Sequence, residues 1–346
     1  MKILIQAPAW VGDMVMAHSL VGLLAAQDPD LHCELVAPAA TAPLGARMPH
    51  VAAVHLLDVG HGAFGLRARL ALARALRDRA FDRAYVLPNS WKSALVPALA
   101  RIPRRIGFVG EFRHGLLNDA RRLDAQALPR MVDRFAALAG SAGAPVPAAA
   151  SIPAPVLHAD AALAAGLRRR LDLTADAPVL ACCPGAEFGP SKRWPPAHFA
   201  RLAERQVAEG WQVWLFGSPA DAAATAAIRA ALPASLRARV VDLAGRTTLT
   251  EAVDLLGEAT AVVSNDSGLM HVAGALARPV VAVYGSTSPA FTPPLGTLAR
   301  VVSLELACAP CFQRHCPLGH LACLRELQPE TVAAALDDLL RAASPT

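Results

Sequence analysis

The sequence contains few aromatic and few charged residues, 5% and 18% of its 346 positions, against 54% hydrophobic residues. Alanine, leucine and valine must therefore fill most of the interior, and large buried cores are expected. No hydrophobic run approaches the roughly 18 to 20 residues that span a bilayer. The N-terminal segment is hydrophobic, but Gly12 and Asp13 interrupt it and no clean small-residue cleavage site follows. We expect a cytosolic protein with two domains.

The net charge of +5 is unevenly distributed along the chain. Residues 1–170 contain 20 Lys and Arg against 12 Asp and Glu, a net of +8, whereas the remaining residues have a net of −3. A basic first half indicates an anionic partner. Nucleic acid is not expected, because the basic residues are not interleaved with aromatic ones and no nucleic-acid-binding motif occurs. A phosphorylated substrate and an anionic membrane surface are equally good alternatives.

Short hydrophobic segments, each followed by turn residues, alternate with helical patterns in both halves. This alternation predicts an α/β fold with parallel sheets covered on both faces. In such sheets ligands bind beyond the carboxyl ends of the strands. The predicted strands are residues 2–7, 33–37, 54–57, 83–87 and 105–109 in the first half, and 179–183, 212–216, 240–243, 261–264 and 280–284 in the second.

A segment rich in Ala, Pro, Gly and Ser, residues 140–155, is typical of a linker. We therefore predict a first Rossmann-like domain at 1–170, which binds an acceptor, and a second at 171–328, which binds a nucleotide. The last segment, residues 329–343, is predicted to be an amphipathic helix that begins at a proline. We expect this helix to pack back against the first domain.

The stretch VVSNDSGLMHVAGAL, residues 262–276, joins a predicted strand to a predicted helix. Asn, Asp and Ser are typical N-cap residues, and a helix that starts directly after a strand directs free N–H groups and a positive dipole end at one point. Such a point binds phosphate. Gly268 allows a ligand to approach the backbone, and His271 lies about one turn further on. The alternative is a strand–helix corner of the common kind that binds nothing.

Asp13 lies where the first predicted strand gives way to a helix, and the helix dipole favours its charged form there. Such a carboxylate can act as general base on a bound hydroxyl, or it can simply cap the helix. The surrounding PAWVGDM, residues 8–14, is not a GxGxxG motif, so no dinucleotide site is predicted.

Further polar residues follow other predicted strands. We predict that Asn89, Lys92 and Arg113 contact an anionic acceptor, with a solvated basic surface as the alternative. Lys192 lies in a loop bounded by glycine and proline, where it can neutralise a phosphate or remain without a partner.

Four of the seven cysteines form the pattern Cys308-x2-Cys311-x4-Cys316-x6-Cys323. This is the ligand count of a structural zinc site, but the second pair does not have the usual CxxC spacing. A structural metal, packed free thiols and oxidised pairs are the alternatives. The other cysteines, Cys33, Cys182 and Cys183, lie in predicted strands and are expected in the core.

Four motifs occur in order, namely WVGDMVMAHSL at 10–20, YVLPNSWKSALVP at 85–97, CPGAEFGPSKRWP at 183–195 and NDSGLMHVAGAL at 265–276. Together they resemble the ADP-heptose:lipopolysaccharide heptosyltransferases, over nearly the whole chain, and most of all the members that add the second heptose. The resemblance implies a GT-B type glycosyltransferase, with two Rossmann-like domains that face a central cleft. Its implied reaction is an inverting, metal-independent transfer of L-glycero-D-manno-heptose from ADP-heptose to the first heptose of the lipopolysaccharide inner core.

The resemblance also implies roles for individual residues. Asp13 matches the catalytic aspartate of the family, and Lys192 matches its phosphate-binding lysine. The donor-binding corner corresponds to Asp266, Ser267, Gly268, Leu269 and His271, with Gly217, Ser218 and Thr247 as further donor contacts.

The implied partners are ADP-heptose, a lipid A–Kdo–heptose acceptor and the cytoplasmic face of the inner membrane. The resemblance also implies a monomer that needs no cofactor and binds this membrane peripherally. The alternatives are heptosyltransferase I, a later heptosyltransferase, an NDP-sugar epimerase or hydrolase on the same fold, and a non-catalytic module that binds nucleic acid or lipid.

Overall fold

The computed structural model describes residues 1–60, 63–145, 147–174 and 176–343. The chain divides into two compact units, one spanning Met1–Leu157 and the other beginning at His158. In the described residues each unit contains one six-stranded sheet, and all neighbouring strands are parallel. The predicted α/β class with two parallel sheets is confirmed.

The first unit is built from strands and helices that alternate along the chain. The strands are β1 (Lys2–Gln6), β2 (His32–Ala37), β3 (Val51–Leu56), β4 (Arg83–Val86), β5 (Arg104–Phe108) and β6 (Asp119–Arg121). The helices are α1 (Val11–Gln27), α2 (Ala42–Gly45), α3 (Leu66–Arg77), α4 (Leu95–Leu99) and α5 (Met131–Ala137). The strand order is β3-β2-β1-β4-β5-β6, which is the order of the Rossmann fold.

The second unit repeats this arrangement. Its strands are β7 (Val179–Cys183), β8 (Gln212–Leu215), β9 (Val240–Asp242), β10 (Ala261–Asn265), β11 (Val280–Val283) and β12 (Ala299–Val302). Its helices are α6 (Ala161–Leu171), α7 (Pro196–Ala208), α8 (Ala222–Ala231), α9 (Leu249–Leu256), α10 (Gly268–Ala275), α11 (Ala322–Arg325) and α12 (Pro329–Ala343). The order β12-β11-β10-β7-β8-β9 is again that of a Rossmann fold.

The central strands are buried on both faces, as continuous hydrophobic segments predict. Ile3, Leu4 and Ile5 of β1 are at most 1% exposed, and every residue of β7 and β10 is buried. Cys33, Cys182 and Cys183 lie in these cores, as predicted.

A fully buried carboxylate lies in the core of the first unit. Glu34 on β2 is fully buried, and Arg79 donates to both of its carboxylate oxygens at 2.8 and 2.6 Å. The rings of His55 and His32 contact the same carboxylate at 2.6 and 2.7 Å. Burial alone would raise the pKa of Glu34, but the hydrogen bonds from Arg79, His55 and His32 outweigh it and hold the pKa at about 2. A buried carboxylate is tolerated here because it is fully paired.

The boundary between the units lies before α6 rather than at residue 170. Helix α6 packs against α9, the backbone N–H of Asp160 donates to Asp254 Oδ1 at 2.9 Å, and Arg168 pairs with Glu258 at 2.9 Å. The C-terminal helix α12 likewise packs against α7, β11 and β12 of the second unit. The expectation that it returns to the first domain is therefore corrected, because its buried face, with Val332, Leu336 and Leu339, joins the core of the second unit.

All ten predicted strands are present, with ends that shift by at most three residues. The strands at one edge of each sheet, β6 and β12, were not predicted. Both are short, and most of their residues are partly or fully exposed. In the described parts of the chain, no helix is both long enough and apolar enough to cross a membrane.

Candidate functional site

The corner between β10 and α10 in the second unit lies beside the loops that follow the two neighbouring strands, β7 and β11. The sheet order places β10 between β7 and β11, so the loops after these three strands leave the same edge. At this corner Ser267, Gly268 and Leu269 are partly exposed, whereas Asp266 and His271 are 4% and 5% exposed. The predicted donor-binding residues thus combine an accessible backbone turn with two buried polar side chains.

Loops from all three strands meet at the carboxylate of Asp266. Lys192, from the loop after β7, donates through Nζ to Asp266 Oδ2 at 2.6 Å. Thr287, from the loop after β11, donates through Oγ1 to the same oxygen at 2.5 Å. Since Asp266 opens the turn into α10, these bonds hold the lysine at the start of that helix.

Asn265, the last residue of β10, fixes the backbone beneath the corner. Its Oδ1 accepts from the backbone N–H of Trp194 at 3.1 Å, and its Nδ2 donates to the carbonyl of Pro184 at 2.6 Å. Both partners belong to the segment that carries Lys192. A buried amide with donor and acceptor both used gives the site a rigid base.

Helix α10 begins without the side-chain cap that the sequence suggested. Ser267 is the N-cap residue in extended conformation, but its side chain makes no cap hydrogen bond, and its Oγ lies 3.2 Å from Ser264 Oγ instead. The first N–H groups of a helix have no partner within the helix. Without a serine oxygen in the way, they are available to an anion at this end, where the helix dipole also favours negative charge.

His271 is held neutral at the same corner. Burial lowers its pKa to about 4; the charge of Asp266 acts to raise it and that of Lys192 to lower it. Its Nδ1 is buried and has no hydrogen-bond partner within the described part of the chain. Buried polar atoms are rarely left without a partner. The neutral ring of His271 therefore lies near Lys192 and Asp266 with one nitrogen that the described residues leave unpaired.

The three residues predicted on neighbouring loops of the second unit differ in their surroundings. A Cβ on Gly217 would lie 2.8 Å from Asp221 Cβ, so this position accommodates only glycine without movement. Ser218 uses its Oγ to donate to Asp221 Oδ2 at 2.7 Å. Thr247 is half-buried. Gly217 and Ser218 thus shape the loop after β8, and their predicted contact with the donor stays a prediction.

Asp13 lies in the first turn of α1, directly after the central strand β1. The N-cap residue is Trp10, so Asp13 is the third residue of the helix and not its cap. Its side chain is partly exposed. A carboxylate in the first turn is stabilised in its charged form by the helix dipole. The first unit therefore carries a partly exposed carboxylate at the carboxyl edge of its sheet, and its role as a base stays a prediction.

The predicted acceptor contacts divide into one buried and two accessible residues. Arg113 is only 1% exposed and donates to the carbonyls of Phe108 and Pro88 and to Asn89 Oδ1. Burial lowers its pKa to about 10, with the charge of Glu111 acting in the opposite direction. The prediction that Arg113 contacts the acceptor is corrected: its donors hold two loops together. Lys92 is partly exposed and Asn89 is exposed.

Neighbouring loops of the first unit expose large aromatic side chains. The rings of Phe64 and Trp91 are 5.2 Å apart, and both residues are about 40% exposed. The backbone N–H of Trp91 donates to Glu111 Oε2 at 3.0 Å, which brings the loop of Phe112 beside it. Phe112 is 98% exposed. Hydrophobic residues on neighbouring loops are typical of an interaction surface.

The four C-terminal cysteines surround one small cavity, which Ser191 and Ser286 also line. Burial raises the pKa of Cys323, and the charges of Cys308, Cys311 and Cys316 raise it further, so the four thiols are close together. All seven cysteines are free. Among the residues that the structure describes, no three His, Cys, Asp or Glu side chains are arranged to hold a metal ion.

Two residues at the corner of Asp266 were not predicted from the sequence. Thr287 lies just beyond the Gly285–Ser286 turn, and a position after a buried strand was the available signal. Phe188 makes a cation–π contact with Lys192, whose Nζ is 5.0 Å from the centroid of the phenylalanine ring. A lone phenylalanine in a loop gives no such signal.

Comparisons with known proteins agree with this geometry. The sequence profile of glycosyltransferase family 9 (heptosyltransferase) matches residues 69–322. Lipopolysaccharide heptosyltransferase 2 of Salmonella typhimurium is 45% identical over 344 residues, which cover 98% of this chain and 99% of the relative. Lipooligosaccharide heptosyltransferase 2 of Haemophilus influenzae is 47% identical over 310 residues, covering 88% and 89%. The solved structure of Escherichia coli ADP-heptose lps heptosyltransferase II matches with a TM-score of 0.88 and 43% identity, over 99% of both chains.

Two Rossmann-like units, together with the match to a solved heptosyltransferase structure over 99% of both chains, define the chain as a GT-B type glycosyltransferase. The profile match and the full-length relatives then establish that it belongs to glycosyltransferase family 9, the heptosyltransferases. The predicted family and enzyme class are thereby confirmed.

Proposed function

We propose that this enzyme transfers L-glycero-D-manno-heptose from ADP-heptose to the first heptose of the lipopolysaccharide inner core. In the proposed step, a hydroxyl oxygen of the acceptor forms a bond to the anomeric carbon while the bond from that carbon to the diphosphate breaks. The acceptor proton goes to a carboxylate, and ADP leaves. A single displacement of this kind inverts the anomeric configuration.

The observation that carries the proposal is the corner at Asp266. There Lys192, the uncapped start of α10 and the unpaired Nδ1 of the neutral His271 come together. A leaving diphosphate needs fixed hydrogen-bond donors and dipoles directed at it, because its negative charge grows in the transition state. Ser267, Gly268 and Leu269 leave the backbone of this turn accessible to it.

Asp13 is proposed as the general base. It is partly exposed in the first turn of α1, where the helix dipole stabilises its ionised form. Ionised carboxylates accept protons from attacking hydroxyl groups and typically contribute about 100- to 10,000-fold in rate. The proposal assigns the base to the first unit and stabilisation of the leaving group to the second.

The exposed aromatic residues Phe64, Trp91 and Phe112, together with Lys92, are proposed to contact the lipid surface that carries the acceptor. Aromatic side chains favour the membrane–water interface, and a basic first unit favours anionic lipids and the phosphates of lipid A. The enzyme would then act as a monomer bound peripherally at the cytoplasmic face of the inner membrane.

The number of heptoses on the acceptor separates this function from its alternatives. Purified enzyme is incubated with ADP-heptose and acceptors that carry zero, one or two heptoses, and products are identified by mass spectrometry. Extension of the one-heptose acceptor alone supports the proposal. Extension of the acceptor without heptose would assign a heptosyltransferase I activity, and consumption of donor without any acceptor would assign an epimerase or hydrolase.

The membrane contact is tested by co-sedimentation with vesicles that contain anionic lipid. The triple variant Phe64→Ser, Trp91→Ser and Phe112→Ser should lose binding while turnover on a soluble, deacylated acceptor persists. The matched control is Leu163→Ser on α6, a hydrophobic residue of the second unit that is 53% exposed. Equal binding by wild type and triple variant would contradict this part of the proposal.

A further inference from the structure

The charge of Lys192 is already compensated at the corner of Asp266. Its ammonium group is 2.6 Å from the carboxylate of Asp266, and the two side chains are 14% and 4% exposed. The pair therefore brings no net positive charge to the turn that would receive a diphosphate. A ligand with two phosphate groups favours further cationic groups within the roughly 10 Å over which charges act at ordinary salt.

Arg314 is a further cationic residue that shares the Phe188 ring with Lys192. Its guanidinium carbon is 5.6 Å from the ring centroid of Phe188, and Lys192 Nζ is 5.0 Å from the same centroid. Because both distances share one end, the two cationic centres are at most about 11 Å apart. The side chain of Arg314 is exposed, so it is accessible to a ligand.

The backbone of this segment is bound to the lysine loop. The backbone N–H of Ser191 donates to the carbonyl of Arg314 at 3.3 Å, and Ser191 Oγ donates to the carbonyl of Gln313 at 2.5 Å. Gly189 is held at a φ of 153°, and a Cβ at this position would lie 2.5 Å from the carbonyl oxygen of Arg314. The absence of a side chain at Gly189 thus allows the two backbones to touch.

The same segment is also bound to the loop after β11. The backbone N–H of Phe312 donates to the carbonyl of Ser286 at 2.7 Å, and Ser286 Oγ donates to Ser191 Oγ at 3.0 Å. Residues 312–314 therefore bridge the two loops that supply Lys192 and Thr287 to Asp266. The backbone of Arg314 is therefore hydrogen-bonded directly to the loop that carries the lysine.

We propose that Arg314 is a further donor-binding residue, whose guanidinium contacts the diphosphate of a nucleoside-diphosphate donor. Arginine suits this role because its planar group offers several N–H donors at once and keeps its charge at any pH of interest. The inference rests on the proposed function, since it assumes that the corner at Asp266 receives the donor diphosphate.

Binding of ADP and of adenosine, measured by calorimetry, tests the inference. Arg314→Gln should weaken ADP binding at least about tenfold, the lower end of the range for one hydrogen bond from a charged group. It should leave adenosine binding unchanged. The matched control is Arg300→Gln on β12, an exposed arginine of the same unit, which should change neither. Arg314→Lys should retain part of the ADP affinity, since it keeps the charge but not the planar fork.

Two results would overturn the inference alone. The first is wild-type ADP affinity in Arg314→Gln, while the wild type itself binds ADP and Lys192→Met binds it more weakly. The second is an equal loss of ADP and adenosine affinity, which would mean that Arg314 only supports the loop. A wild-type enzyme that binds no ADP would overturn the proposed function and this inference with it.

Discussion

Replacing Lys192 by methionine has two effects at the corner of Asp266, the loss of a cation and the loss of a partner for the carboxylate. The variant removes the ammonium group that would contact the diphosphate. It also leaves the carboxylate of Asp266, 4% exposed, with Thr287 as its remaining side-chain partner. A donor would then meet an uncompensated negative charge. The double variant Lys192→Met, Asp266→Asn removes that charge while keeping similar side-chain volumes.

The expected magnitudes follow from these contacts. A hydrogen bond from a charged group contributes about 1.5 to 3 kcal/mol, so its loss should weaken ADP binding by roughly 10- to 150-fold. Repulsion from the uncompensated charge of Asp266 should put Lys192→Met near the upper end of this range. The double variant should recover to about tenfold weaker than wild type, because only the lost contact remains. Asp266→Asn alone should bind ADP at least as well as wild type.

Calorimetric titration of ADP into all four proteins measures this cycle, with unfolding by urea as the check on folding. Lys192→Met that binds ADP within twofold of wild type would refute the assignment of the lysine. A double variant that binds as weakly as Lys192→Met would show that the charge of Asp266 has no effect on the donor.

Two further predictions concern stability. Glu34→Gln should lower the free energy of unfolding by about 3 kcal/mol at pH 7, as expected when a buried ion pair loses one partner. Because the folded pKa of Glu34 is about 2, below the usual 4.5, this advantage of the wild type should persist above pH 4.5 and disappear as pH falls towards 2. Urea unfolding of Glu330→Gln, whose pair with Arg201 is more than 60% exposed, is the control, and an equal loss there would contradict the reasoning. The folded pKa of His271, about 4, lies below the usual 6.5. The free energy of unfolding of the wild type should therefore fall by up to about 1.4 kcal/mol per pH unit as pH drops from 6.5 to 4. The difference in free energy of unfolding between the wild type and His271→Asn should narrow over the same range. A constant difference between the two proteins over that range would show that His271 titrates normally.

The sequence predicted the parts of the fold that hydrophobic patterns control. Strands such as β7 and β10 are continuous buried segments, and their positions were found within a residue. The edge strands β6 and β12 were missed because they are short and face solvent, so no hydrophobic pattern marks them. The boundary before α6 was missed for another reason. It depends on the packing of α6 against α9 and on the bond from Asp160 to Asp254, which are contacts between distant parts of the chain.

The candidate site was predictable where a residue follows a strand directly. Asp13 and Asp266 were found in this way. Burial was not predictable, and it separates Arg113, which holds two loops together, from Lys92, which remains accessible. The pairing of Lys192 with Asp266 likewise depends on the order of strands in the sheet, which places the loops after β7 and β10 side by side.

The division of roles between the units is tested most directly by turnover of Asp13→Asn, measured with ADP-heptose and a one-heptose acceptor beside the ADP affinity of the same protein. The account predicts that turnover falls at least about 100-fold while ADP affinity stays at the wild-type value. The control Asp30→Asn, an exposed aspartate outside the helices of the first unit, should match wild type in both. Wild-type turnover in Asp13→Asn would contradict the assignment of the base, and with it the proposed mechanism.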